Sequence, residues 1–303
     1  MFSRFAPLAL AFSLMAPGLA AADPAFGDDV VAAVRQWLQG DPAGRQTLEA
    51  MAKAGRADAQ EAMGEVLARG AKGVKAEPVA ACGYFRQASA TRGDSKHSLA
   101  VCAEAGVEGP PDMALAAKLY GEAADLGFAK SFCALGNLYL AGQGVPKDPA
   151  KGIELCRKAA DLGDRDAQAD MGNIYVNGQA TPRDMVQARY WYEKAAAQGQ
   201  PNAEFVLGQI YINGDGVAAD RAKAKQLLIS AYGHGRLDAA GLVAKLDFAQ
   251  WMAAHPKGDV SLLDEAIQWF ELGLKAPLND KGRTDLETGL QLSRAMRAAE
   301  LKS

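Results

Sequence analysis

The side chains of this chain best able to do chemistry are few: four cysteines (Cys82, Cys102, Cys133, Cys156) and three histidines (His97, His234, His255). An even number of cysteines reads as two disulfides in an oxidising compartment and as buried thiols elsewhere. None of the histidines stands in an H-E-x-x-H segment or at another paired-ligand spacing, so no metal site is expected from them. There is no G-x-S-x-G elbow and no phosphate-binding loop, and no serine is followed three residues later by lysine. A row of aspartates, Asp112, Asp148, Asp184 and Asp220, has the residue type that metal or acid–base chemistry needs. Each of them, however, stands just ahead of an alanine-rich helical stretch. A carboxylate there accepts hydrogen bonds from the free N–H groups of a helix start, and that role accounts for the spacing in full. No catalytic residue, metal or other cofactor is expected, and the chain reads as a non-enzyme.

The elements that carry these residues repeat. "LGNLYLAGQGVPKDPAKGIELCRKAADLG", "MGNIYVNGQATPRDMVQARYWYEKAAAQG" and "LGQIYINGDGVAADRAKAKQLLISAYGHG" end at Gly163, Gly199 and Gly235, in steps of 36 residues. A fixed period in the thirties marks stacked helical units. In the first of these, Leu135 and Tyr139 share a helical face. Gly136 beside them recurs as Gly64, Gly172 and Gly208. Glycine inside a helix costs roughly 1 kcal/mol against alanine, so its recurrence predicts a helix crossing too close for a Cβ. Gly142 and Gly144 are suited to turn the chain back. The large residues of the second helix, Trp191-Tyr192, recur as Leu119-Tyr120, Leu155-Cys156 and Leu227-Leu228. Tyr84-Phe85 joins them if one extra residue follows it in a turn ending at Gly93. These positions are expected to pack between helices. The division read from this pattern is a helical N-terminal cap or degenerate half-repeat over 23–56 and five repeats over 57–93, 94–127, 128–163, 164–199 and 200–235. A helical C-terminal cap follows over 236–303.

The opening "MFSRFAPLALAFSLMAPGLAAADP" has one basic residue, an apolar run and then small residues. It reads as a cleavable signal peptide over residues 1–22, with an uncleaved N-terminal anchor as the other reading. The expected mature chain is therefore periplasmic or secreted, with no membrane insertion after cleavage. The formal net charge of −3 shows no basic excess for nucleic acid, and no nucleic-acid partner is expected.

The pattern L-G-x-x-Y-x-x-G-x-G-V, then Asp, then K-A, then W-Y-x-K-A-A-x-x-G resembles the Sel1-like repeats, relatives of the tetratricopeptide repeats. The likeness is densest from Phe128 to Gly235, and it departs at Ala180-Thr181-Pro182, where the glycine turn becomes "GQATP". The resemblance implies an all-α fold, a right-handed α-solenoid of antiparallel helix pairs. It also implies an adaptor that binds a protein partner or peptide segment through its concave face, with exported bacterial members serving envelope assembly, signalling or host interaction. A glycan- or peptidoglycan-binding module, with envelope polysaccharide as partner, is the alternative. A β-lactamase-like hydrolase, a label given to cysteine-rich relatives, is less in keeping with the missing serine–lysine pair.

In tetratricopeptide-like packing the first helix of each pair lines the groove. The residue after the crossing glycine then faces inward, which singles out Asn137, Asn173 and Gln209, with Asn177 and Asn213 four residues further along the same stripe. Amides there can hydrogen-bond a peptide backbone or a carboxylate; a plain solvated face is the other reading. Cysteines equidistant from a helix-hairpin turn stand at equal height. That favours Cys82–Cys102 about a turn at Thr91–Gly93 and Cys133–Cys156 about the Gly142–Val145 turn, over Cys102–Cys133. The cysteine-rich exported Sel1-like families have one disulfide inside every repeat, and the fourth and fifth units here have none.

Overall fold

A computed structural model describes residues 26–71, 73–178, 180–254 and 259–300. The signal peptide expected over 1–22 and His255 lie outside the described residues. The chain divides into two compact units, one ending at Leu155 and the other beginning at Cys156. Among the described residues the structure is helical throughout, apart from turns and one isolated bridge between Ala71 and Val74.

The first unit contains α1 (Asp28–Leu38), α2 (Pro42–Lys53), α3 (Ala57–Arg69), α4 (Pro78–Ala88), α5 (Gly93–Ala105), α6 (Met113–Asp125) and α7 (Ala129–Ala141). The boundary falls inside α8 (Pro149–Asp161). The second unit continues with α9 (Arg165–Asn177), α10 (Met185–Ala197), α11 (Pro201–Asn213), α12 (Arg221–Gly233), α13 (Ala239–Ala254), α14 (Ser261–Gly273) and α15 (Asp280–Glu300). Each unit is a stack of helix hairpins, the α-solenoid architecture implied by the 36-residue period. The repeat helices α3, α5, α7, α9 and α11 begin at steps of 36 residues.

Two small-residue positions set the pitch of each hairpin. A Cβ on Gly172 would lie 2.6 Å from the Tyr192 ring, and one on Gly208 2.9 Å from Leu228. Gly64 meets Phe85 in the same way. In the third repeat both helices give way: a Cβ on Gly152 would lie 2.8 Å from the Gly136 carbonyl oxygen. Gly152 takes the place that buried Ala116, Ala188 and Ala224 hold in the other repeats. The alanines at 123, 159, 195 and 231 are likewise buried, so second helices pack on neighbours through surfaces with almost no side chain to order.

The helix starts follow the aspartates. Asp112 accepts from the Leu115 N–H, Asp148 from Lys151, Asp184 from Val186 and Gln187, and Asp220 from Lys223, at 2.9–3.0 Å. Pro149 occupies the first position of α8, where a missing N–H costs nothing. Gly142 and Gly144 have φ of 72° and 69°, and any side chain at Gly144 would strike the Met113 backbone.

One local expectation is corrected. Gly93 is not a turn glycine but the first residue of α5. Thr91 takes the place held by Gly55, Gly127, Gly163, Gly199 and Gly235, all at positive φ, and no non-glycine residue among those described has positive φ. The extra residue of the first repeat sits between α3 and α4, where the chain closes a small bridge, and not after Phe85. Aligning on glycines put Gly93 in register with turns it does not make.

Candidate functional site

Cys82 and Cys102 form a disulfide with a Cα–Cα distance of 6.1 Å, joining α4 to α5. It ties the second helix of one repeat to the first helix of the next. Cys133 and Cys156 are each disulfide-bonded too, and among the described residues no cysteine is free. The cysteines are therefore staples, buried in the helix stack.

The histidines that are described do structural work. His97 is buried between the rings of Tyr120 and Phe128, each 5.1 Å away, and its Nδ1 lies 2.9 Å from the Ser131 hydroxyl. Burial, then the Lys130 charge, brings its pKa down to about 4, so the ring is neutral at pH 7. His234 partners Glu204, with Nδ1 2.8 Å from Oε2, and Glu204 also accepts from the Ser230 hydroxyl at 2.6 Å. The repeat explains that cluster. At the same position Gln60 donates to the Ala52 carbonyl and Gln168 to the Ala160 carbonyl, fastening each repeat to the helix before it. Glu204 lacks the amide N–H groups with which the glutamines reach back, and its partners Ser230 and His234 lie on and just after α12.

The amide stripe of the second unit lies on α9 and α11. Asn173 and Asn177 are exposed on α9; on α11 Asn213 is exposed and Gln209 half-buried. In the first unit Asn137 is exposed on α7 at the equivalent place. The Tyr192 hydroxyl donates to Asn173 Oδ1 at 2.7 Å. Burial, then the Asp170 charge, pushes the phenol's pKa upward, so it remains a neutral donor. With its oxygen held, Asn173 has its amino group left as a donor for a ligand. Asn213 is set the other way: its amino group donates to Asp215 at 3.2 Å, which leaves its carbonyl oxygen as the acceptor. The stripe thus presents a donor at Asn173 and an acceptor at Asn213.

Sequence reasoning passed over Tyr192 as a positioning group because its ring already had a packing role against Gly172. It also passed over Glu61 and Glu65 on α3, which lie one turn apart and are both largely buried. Glu65 occupies the repeat position of Asn137, Asn173 and Gln209, so the amide stripe does not continue into the first repeat. Repeat alignment of 65 with 137 was the signal that would have found it.

The model of the Sel1 repeat matches residues 57–90, 94–128, 133–164, 165–200 and 201–235. No curated protein matches the chain. Among solved structures, a Sel1 repeat protein from Oxalobacter formigenes is similar over 84% of this chain and 99% of its own, at 20% identity and a TM-score of 0.62. A protective antigen of uropathogenic Escherichia coli strains with an SLR fold is similar over 86% of this chain, at 20% identity and a TM-score of 0.62. This chain spans 56% of its length. At such identities the likeness is one of fold. With five matched repeats spanning more than half of its length, the chain belongs to the Sel1 repeat family, a family of protein-interaction scaffolds.

Proposed function

We propose that this chain is an exported scaffold that captures an extended segment of a protein partner along the amide stripe of its first helices. The observation that carries this reading is the Tyr192–Asn173 hydrogen bond of 2.7 Å. A buried phenol fixes which end of an exposed amide faces solvent, and a fixed donor loses less freedom on binding than a free one. Asn177, Gln209 and Asn213 extend the same stripe, and Asn137 holds the equivalent place in the first unit. Peptide backbone, with alternating donors and acceptors, is the ligand that such a stripe suits best. The envelope roles of exported relatives are part of the same proposal.

Export is supported by the oxidised state of all four cysteines, since disulfides persist in oxidising compartments. No helix among the described residues is long and apolar enough to cross a membrane.

The test is cross-linking in the producing cell, followed by identification of the captured chains. Substituting Asn173 and Asn213 by alanine together is expected to weaken capture while the chain stays folded, at a stability cost of about 1–3 kcal/mol because the buried Tyr192 hydroxyl loses its acceptor. Unchanged capture by the double variant would overturn the proposal. Capture of polysaccharide with no protein would favour the glycan-binding reading instead.

A further inference from the structure

The least explained polar groups of the first unit are the two carboxyls of α3. Glu61 is 2% exposed, and its Oε2 has no hydrogen-bond partner; the buried Oε2 of Glu65 has none either. The nearest cation to Glu65 is Arg69, with Nη2 at 3.9 Å, beyond hydrogen-bond distance. The two carboxyls lie one helical turn apart, and Ser95, fully buried at the start of α5, has a hydroxyl that is likewise without a hydrogen-bond partner. Two charged carboxylates buried one turn apart, with no donor on their inner oxygens, would repel each other at full strength. Like charges close together and out of water are the arrangement that makes two acids share one proton.

We propose that Glu61 and Glu65 hold one proton between them and form a pH-sensitive latch at the joint between α3 and α5, closed while the proton is held and loosened when it is lost. The surrounding groups favour this. From the entry to α5, Asp94 adds a further negative charge and Arg92 a positive one, but Arg92 is already engaged with Asp94. From α7, Lys130 acts on Glu65, and from α3 itself Arg69 does so. Burial disfavours the charge on Arg69 as well. None of the larger influences on either carboxyl comes from α1, α2 or α4. Burial dominates for both and holds the pair well above the ordinary carboxylate range. The folded chain therefore binds more protons than the unfolded chain from the ordinary carboxylate range up into the neutral range and just above. Its stability falls as pH rises through that window.

His97 stands at the same repeat position as Glu61, one repeat later. It is also buried but neutral by losing its proton, where Glu61 is neutral by keeping one. Two successive repeats thus bury an ionisable side chain at this position in uncharged form.

The experiment compares wild type with Glu61→Gln, an uncharged side chain of the same shape that can still donate to Glu65. In urea unfolding between pH 6 and 9, the wild-type unfolding constant is expected to rise at least about tenfold more than that of the variant, in which only Glu65 of the pair is left to titrate. A second measurement does not depend on the variant's stability. Infrared spectra of the wild type near neutral pH should contain the carbonyl stretch of a protonated carboxylic acid, which either single variant should weaken and Glu61→Gln with Glu65→Gln should remove. If Glu61→Gln fails to fold, Glu65→Gln takes its place in both measurements. Equal pH slopes in wild type and variant, or no protonated-acid band in the wild type, would overturn the latch.

Discussion

Removing the titration of His97 should remove an acid-sensitive part of the stability of the first unit. The ring is 6% exposed, and its pKa is lowered from 6.5 to about 4, first by burial and then by Lys130, with Asp94 opposing. Between those values the unfolded chain binds a proton that the folded chain refuses, so the stability that His97 contributes is complete above pH 6.5 and is lost as pH falls toward 4. The gap corresponds to about 3 kcal/mol, a large part of the margin of an ordinary domain. The perturbation is the double substitution His97→Phe with Ser131→Ala. Phenylalanine keeps a ring between Tyr120 and Phe128, and alanine avoids leaving the fully buried Ser131 hydroxyl without its partner, which alone would cost about 1–3 kcal/mol. Any packing change displaces the whole curve without tilting it. The assay is urea unfolding of both proteins at pH 7, 6, 5 and 4, taken as the difference between them at each pH. Carboxylates that titrate in the same range, including Glu61 and Glu65, cancel in that difference. It should shift by about 3 kcal/mol in favour of the variant between pH 7 and pH 4. A difference that stays constant across the series would refute the assignment of His97 as a neutral buried ring.

Gly172→Ala should lower stability by about 1–3 kcal/mol, because the new methyl would stand 2.6 Å from the Tyr192 ring and one helix must move. Thermal unfolding measures it, and the neutral outcome expected of an exposed helical glycine would contradict the close crossing. Replacing Cys82 and Cys102 by alanine should cost about 3 kcal/mol, the entropy of an open loop with a sequence separation of 20. Chemical unfolding of this variant under oxidising conditions isolates that bond from the other. Tyr192→Phe should free the Asn173 amide and weaken partner capture severalfold, at a stability cost of about 1 kcal/mol. A binding assay with the captured partner checks the first part and thermal unfolding the second.

Much of the fold is legible in the sequence because a repeat shows the same physical constraint several times. One glycine inside a helix is ambiguous, but Gly64, Gly136, Gly172 and Gly208 at a common position leave a close crossing as the simplest cause. The aspartates at 112, 148, 184 and 220 become caps by the same logic. Where the repeat drifts, the reading drifts with it. Gly93 looked like a turn glycine because the other units end on one, yet the first repeat takes its extra residue before α4, and Gly93 became part of a helix. The distance of Cys82 and Cys102 from the turn still served, because α5 kept its register.

The candidate site was legible only in part, and the reason is chemical. A repeat period fixes where a side chain stands, not what surrounds it. Position 173 was found from its spacing, but its orientation depends on a phenol 19 residues away that sequence inspection had assigned to packing. The same limit applies at positions 60, 168 and 204. Two glutamines donate to the preceding repeat, and the glutamate that replaces them has Ser230 and His234, on and just after α12, as partners. At positions 61 and 97 a buried joint receives an acid in one repeat and a base in the next. Each is neutral, by opposite proton movements. In an array of this kind, functional and regulatory chemistry is therefore to be sought where one member of a repeat position changes its charge or hydrogen-bonding type. There the conserved geometry of the solenoid stays in place, and a new partner must be found within it.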